Sequence, residues 1–200
     1  MVKLFNKWDY EGLVFNDTSL ESYISVSPVV VPHQFGRAGK KQFGKRKMNI
    51  VERLVNSLMR GGTGEKVAGR VIRTKGALQG KKFRAMKLVD EAFDIINAET
   101  HENPIQVLIK AIENAAPRED ITRIEFGGVS YQVSVDISAQ RRVDLAIRNL
   151  AHAAVMGAFG KNTSLGKSLA KEITLASKLD QNSYAVKKKD EKERIARSAR

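Results

Sequence analysis

The sequence predicts a mainly α-helical protein: a helical bundle of about six or more helices, one protruding β-hairpin and an N-terminal extension. Two patterns carry that expectation. Apolar residues recur at three- and four-residue spacing in successive stretches after Met48, the period of amphipathic helices. Strict apolar/polar alternation occurs strongly in one place only, at about residues 121–137. A third observation concerns charge. Between His33 and Lys87 stand sixteen Lys or Arg and two acidic residues, a net +14 in a chain whose total is +13.

Residues 1–32 hold short apolar stretches and the run Val29-Val30-Val31-Pro32 without a sustained period, and read as an extension to a helical domain over 33–200. Residues 33–47 are Gly-rich and basic, with no aliphatic side chain larger than Ala38, so they cannot build a core and read as a loop ordered by its partner. From Met48, the positions Ile50, Val51, Leu54, Val55, Leu58 and Met59 define a helix that Gly61-Gly62 ends. A second helix is expected from Gly64-Glu65, weakened by Gly69 and Gly76, with a break before Lys81. A third runs from Met86 to Glu99, with Val89, Ala92, Phe93 and Ile96 inward. Asn103 then serves as N-cap, Pro104 as the first helical residue and Gln106 as the third, in a helix that stops before Pro117.

The period then changes. Ile121–Phe126 and Val129–Ile137 flank Gly127-Gly128, a dipeptide suited to a two-residue turn with positive φ. A lone hairpin does not make a stable sheet, so it must lean on helices at its base and project at its tip. Helical period resumes with Val143, Ala146, Ile147, Leu150, Ala154 and Val155, and continues with Leu165, Leu169, Ile173 and Ala176. The last helix, at about 183–197, has almost no apolar face beyond Val186 and Ile195; charge pairs such as Glu193 with Arg197 help it but do not fold it alone.

The positive charge comes from the 33–87 block and from residues 141–200, which carry +8, while residues 88–140 sum to −7. A surface this cationic is tolerable when a dense polyanion neutralises it, and nucleic acid is the commonest such partner. The absence of cysteine excludes disulfides, thiolate metal sites and a thiol nucleophile, and fits a reducing compartment. With no apolar run near ~20 residues and no signal-peptide pattern at the N-terminus, the chain is expected in the cytoplasm, with no membrane contact.

Motifs for small-molecule chemistry fail in detail. Gly160-Lys161 and Gly166-Lys167-Ser168 echo parts of a phosphate loop, but Lys161 stands where the first Gly is required, Asn162 replaces Ser or Thr, and no strand precedes either. Gly61-Gly62-Thr63-Gly64 reads first as an interhelical turn. His33, His101 and His152 lack metal-ligand spacing, and Asp90, Glu91 and Asp94 read as a solvated helix face rather than a catalytic pair. No metal, cofactor, small-molecule substrate or enzymatic activity is expected. The basic features say more. In Arg37–Lys47 six positive charges alternate with Gly, Gln and Phe. The plain reading is a solvated charge run; the sharper one has glycines letting backbone approach phosphates and Phe35 and Phe43 stacking on unpaired bases. Arg141, Arg142 and Arg148 follow the hairpin, with Arg141 and Arg148 sharing a face, as solubilising charges or phosphate contacts. Tyr131 is a packing residue or a base stacker. An architectural DNA-binding protein would share this profile, though that class wedges an apolar residue at its arm tip, where this chain has Gly127-Gly128.

Three motifs carry a family resemblance: Ile50-Val51-Glu52-Arg53-Leu54-Val55-Asn56-Ser57-Leu58-Met59-Arg60; Glu102-Asn103-Pro104-Ile105-Gln106-Val107-Leu108 through Glu113-Asn114-Ala115-Ala116-Pro117-Arg118-Glu119; and Gly127-Gly128-Val129-Ser130-Tyr131 with Arg141-Arg142-Val143-Asp144. In this order they resemble the small-subunit ribosomal protein seven family over roughly residues 33–200. Leu4-Phe5-Asn6-Lys7-Trp8 and the ending from Asn182 resemble its archaeal and eukaryotic branch, and the tyrosine-bearing hairpin leans archaeal. The resemblance implies a structural ribosomal protein bound to the 3′ major domain of small-subunit ribosomal RNA, early in assembly of the head. It also implies a hairpin near the messenger RNA path and the exit-site transfer RNA, with ribosomal protein eleven as a neighbour. Carried over by motif, the RNA-facing residues are Arg37, Lys40, Lys41, Lys45, Arg46, Lys47, Arg60, Arg123, Arg141, Arg142 and Arg148. The hairpin positions nearest messenger and transfer RNA are Phe126, Gly127, Gly128, Val129 and Tyr131.

Overall fold

The Asn103-Pro104 pair starts a deeply buried helix. In a computed structural model, which describes residues 2–60, 66–67, 70–72 and 76–200, Asn103 Oδ1 accepts from Ile105 N at 3.1 Å and Pro104 occupies the first turn. This helix, α4 (Pro104–Ala115), buries Ile105, Val107, Leu108, Ile109 and Ile112 among others. Each such side chain contributes on the order of 1.5–3 kcal/mol by leaving water. Against it pack α3 (Lys82–Thr100), α5 (Ala139–Ala158), α6 (Leu165–Ser177) and α7 (Tyr184–Ser198), and α2 (Ile50–Leu58) packs on α3 and α5. Val89, Phe93 and Ile96 of α3, Val143 and Leu150 of α5, and Leu169 and Ile173 of α6 complete one continuous core.

The N-terminal residues are strapped to this bundle. Leu4, Leu20 and Ile24 are buried in the core, Leu20 on the short helix α1 (Thr18–Glu21). Polar side chains of the bundle grip the strap's backbone: Gln106 pairs with both N and O of Val14, Glu113 accepts from Asn16 N, and Asn103 donates to Asp9 O. Lys7 Nζ lies 3.2 Å from Asp90 and 2.8 Å from Asp94, which occupies the acidic face of α3. The Asp94 hydrogen bond raises the Lys7 pKa above its ordinary value against the opposing effect of desolvation.

The hairpin pairs β3 (Glu119–Phe126) with β4 (Val129–Asp136) in the register Phe126↔Val129, and Gly127 and Gly128 both have positive φ, +59° and +80°, as a two-residue primed turn requires. α7 braces its base. Lys192 Nζ lies 2.6 Å from Asp120, Glu193 accepts from Arg118 N at 3.0 Å, and Arg200 pairs with Glu119. Thus α7, poor in apolar residues, docks through polar bonds around a small buried patch of Ala185, Val186 and Ala196. Glu193 serves the hairpin rather than Arg197, and Ile195 is exposed. Buried Glu172 of α6 accepts from Ser183 Oγ and Ala185 N, placing a carboxylate at the α7 N-terminus.

Three expectations need correction. Where a helix was expected from Gly64-Glu65, two short antiparallel strands occur, β1 (Lys66–Val67) and β2 (Arg70–Val71), paired Lys66↔Val71. β-Branched Val67 and Val71 around the weak helix former Gly69 favour extended chain. Residues 61–65, 68–69 and 73–75, which include Gly61-Gly62-Thr63-Gly64, lie outside the described residues. α3 begins at Lys82, four residues before Met86. The basic loop is folded within the protein itself, as two 3₁₀ turns, Arg37–Lys40 and Gly44–Lys47.

Two ion-paired carboxylates make the fold acid-sensitive. Partial burial pushes Asp17 up, but hydrogen bonds from Ser19 and Arg142 outweigh it, leaving it below the usual 3.8. Asp120 behaves alike, with Lys192 outweighing desolvation. A depressed folded pKa stabilises above the unfolded value, and the stabilisation is lost as pH falls through the folded value. Thermal unfolding is therefore expected to lose stability as pH drops below about 4; Asp17→Asn and Asp120→Asn should start lower at pH 7 and fall less steeply.

Candidate nucleic-acid interface

Helical period decides which cations reach the surface together. On α5, Val143, Ala146, Ile147 and Leu150 turn inward, which leaves Arg141 and Arg148, seven residues apart, on the outer side. On and just past α2, Arg53 and Arg60 stand at the same spacing. The two helices and the second 3₁₀ turn flank a cleft of about 400 Å³ whose charged lining is Lys45, Arg53, Arg60, Arg141, Arg148 and one carboxylate, Asp144. Five cations around one anion leave a strongly positive depression, and its low-dielectric walls focus that field.

Arg53 was missed by sequence reasoning. Its side chain is only 4% exposed; Nη1 donates to Tyr23 O at 2.9 Å, Nη2 reaches Asp144 Oδ1 at 3.0 Å, and Nε is buried without a protein partner. The available signal was its seven-residue offset from Arg60. Lys45 approaches the other Asp144 oxygen at 3.5 Å, so one carboxylate ties the loop, α2 and α5 together.

The loop cations Arg37, Lys41, Lys45, Arg46 and Lys47 are exposed, and Lys40 ends the first 3₁₀ turn. Arg46 is the most constrained: Nε donates to Ser22 O at 2.6 Å and its guanidinium lies 5.0 Å from the Tyr23 ring centroid. Arg123 sits apart, exposed on β3 opposite Gln132. Arg142 departs from the expected set. It turns inward, 8% exposed, with Nη2 2.8 Å from Asp17 and Nη1 2.7 Å from Ser19 Oγ, and pins the N-terminal strap to α5.

The hairpin has two unlike faces. Pairing Ile124 with Tyr131 and Phe126 with Val129 puts Ile124, Phe126, Val129, Tyr131, Val133 and Val135 on one side, all exposed, Phe126 to 80%. Arg123, Glu125, Ser130 and Gln132 line the other. Tyr131 is thus 54% exposed rather than packed inside. The phosphate-loop reading fails sterically as well. A side chain at Gly166 would meet the Glu91 carboxylate at 2.7–2.8 Å, so an anion already fills the space beside this residue. Among the described residues no cluster of metal-ligating side chains occurs and no helix is long and apolar enough to cross a membrane.

A helical bundle with a cationic cleft, a basic ordered loop and a projecting hairpin has the make-up of a nucleic-acid-binding structural protein. Residues 20–200 match the family described as ribosomal protein S7p/S5e. The chain is 47% identical to small ribosomal subunit protein uS7 of Methanothermobacter thermautotrophicus, covering all of both chains. It is 49% identical to that of Methanococcus maripaludis, covering all of this chain and 99% of the relative. The chain belongs to the ribosomal protein S7p/S5e family, whose members are structural proteins rather than enzymes, and leans to its archaeal side.

The opposite placements of neighbouring arginines give a direct test. Arg142→Ala is expected to destabilise the fold by about 2 kcal/mol, leaving Asp17 without its charged partner; Arg141→Ala should shift urea unfolding by no more than about 0.5 kcal/mol.

Proposed function

We propose that the protein is a structural constituent of the small ribosomal subunit that binds the 3′ major domain of its ribosomal RNA and helps nucleate assembly of the head. The observation that carries this reading is the cleft between α2 and α5, where Lys45, Arg53, Arg60, Arg141 and Arg148 converge. Side chains spaced along two helices and one ordered loop meet phosphates from converging RNA strands, and the apolar bundle keeps the contacts in register. Arg37, Lys40, Lys41, Arg46 and Lys47 extend the contact along the loop. Arg142 is left out of the set, because its guanidinium is engaged with Asp17. By the family resemblance, the hairpin tip at Phe126, Gly127, Gly128, Val129 and Tyr131 stands near messenger RNA and exit-site transfer RNA, with ribosomal protein eleven as a neighbour. The six exposed apolar side chains of one hairpin face support a covered rather than a solvated role.

Binding to a transcript of the 3′ major domain tests the proposal. With about eight phosphates engaged, the slope of log affinity against log salt should be about −6 to −7. Replacing Arg60, Arg141 and Arg148 together by Ala should weaken binding on the order of 100-fold and reduce the slope magnitude by about 2 to 3. A slope magnitude near 1, or duplex DNA displacing the transcript at equal nucleotide concentration, would overturn it. Removing the hairpin tip, residues 126–129, should leave affinity for this transcript within about twofold; loss of primary binding on that deletion would contradict the separation of roles.

A further inference from the structure

The basic loop is a tandem. Gln34-Phe35-Gly36-Arg37 and Gln42-Phe43-Gly44-Lys45 repeat Gln-Phe-Gly-cation at a spacing of eight residues. The two copies are related in form, with the turn starting one residue later in the first, after a left-handed Gly36. Phe35 and Phe43 have left-handed backbones, φ +51° and +56°, and each leads into a 3₁₀ turn, Arg37–Lys40 after the first and Gly44–Lys47 after the second. A bulky aromatic residue is unfavourable in this region, which glycine or asparagine ordinarily fills. The strain is not offset by packing, because the Phe35 and Phe43 side chains belong to residues 77% and 65% exposed.

The ground beneath the rings is firm. Gln34 N donates to buried Glu52 and Gln34 Nε2 donates to Lys47 O, which closes the tandem on itself. Lys82 bridges the same Glu52, at 2.5 Å, to His33 Nδ1, at 2.7 Å. The second turn lies flush on the first: a Cβ at Gly44 would stand 2.2 Å from Ala38 O. The His33 ring leans on Phe35 with centroids 4.3 Å apart and an interplanar angle of 52°, beside a depression of about 420 Å³ lined by His33, Gln34, Phe35 and Arg37. Two solvated aromatic rings are therefore held out from an ordered, cationic support by a backbone conformation that works against them. Strain of this kind collects where a side chain must meet a ligand.

Resting on the RNA-binding reading above, we infer that Phe35 and Phe43 are twin stacking platforms, each taking the face of one unpaired nucleobase. Arg37, which lines the depression beside Phe35, and Lys41 and Lys45, each two residues from Phe43 in the chain, hold the phosphates of the same strand. A base inside a duplex offers no free face, so the RNA element that fits is a loop, bulge or junction strand. The eight-residue repeat gives two equivalent contacts, and stacking tolerates any base, so the pair recognises unpaired structure rather than a sequence.

The test uses the full chain and a transcript of the 3′ major domain. The protein has one tryptophan, Trp8, so Phe35→Trp and Phe43→Trp each add a single reporter over a constant background. The transcript should quench the added fluorescence in both variants. Phe35→Gly and Phe43→Gly should each weaken binding about 5- to 100-fold, the scale of base–aromatic stacking. The salt slope should stay unchanged, because no charge is lost. Their melting temperatures should hold or rise, since glycine adopts positive φ without strain. Phe35→Leu and Phe43→Leu, which keep an apolar side chain, should lose binding as well. Full binding with no added quench, or Gly and Leu variants that bind like the parent while Arg60→Ala/Arg141→Ala loses affinity, would overturn the platforms and leave the RNA reading standing. A parent chain that does not bind the transcript overturns both.

Discussion

Like charges do not gather without a frame that forces them to. Lys45, Arg53, Arg60, Arg141 and Arg148 share one cleft with a single carboxylate, Asp144, and every pair of those cations repels in the free protein. What holds them is the apolar contact behind them, where Val51, Leu54, Val55 and Leu58 of α2 meet the core that Val143, Ile147 and Leu150 of α5 also enter. Asp144 does the local work, reaching Arg53 at 3.0 Å and Lys45 at 3.5 Å. The rest of the architecture follows from that demand. α4 supplies a buried helix at the centre of the core, the strap is fastened to the bundle, and several acidic residues bind the protein's own lysines and arginines.

The acidic residues are structural in a specific sense. Asp90 and Asp94 seat Lys7, Asp17 seats Arg142, Asp120 seats Lys192 and Glu52 seats Lys82. Each pair joins segments distant in sequence, and several are partly buried, where screening by salt is weak. The net charge of +13 is thus what remains after the cations needed for internal joints have been matched.

Much of the fold was legible because its signals are local. Periodicity located the helices, the Asn103-Pro104 start is a capping effect, and the Gly127-Gly128 turn between alternating strands gave the hairpin to within two residues at each end. The misses came where tertiary context overrides local pattern. Glycines and cations in residues 33–47 resemble disordered chain, yet bonds from Gln34 to Glu52 and Lys47, far apart in sequence, fold them. The interface was partly legible, since Arg141 and Arg148 share a helical face. Arg142 and Arg53 were not separable from them by composition: one turns inward to Asp17, the other lies at the bottom of the cleft, and only burial distinguishes them.

Eight-residue strands make the hairpin an arm of about 26 Å. Its root is clamped to α7 by Asp120–Lys192, Arg118–Glu193 and Glu119–Arg200, and α7 in turn is fastened to α6 through Ser183 and Glu172. Such an arm is a cantilever with its torque taken up at a charged hinge plate. Phe126 at the tip is thus joined, through bonds at the root, first to the C-terminal helix and then to the bundle.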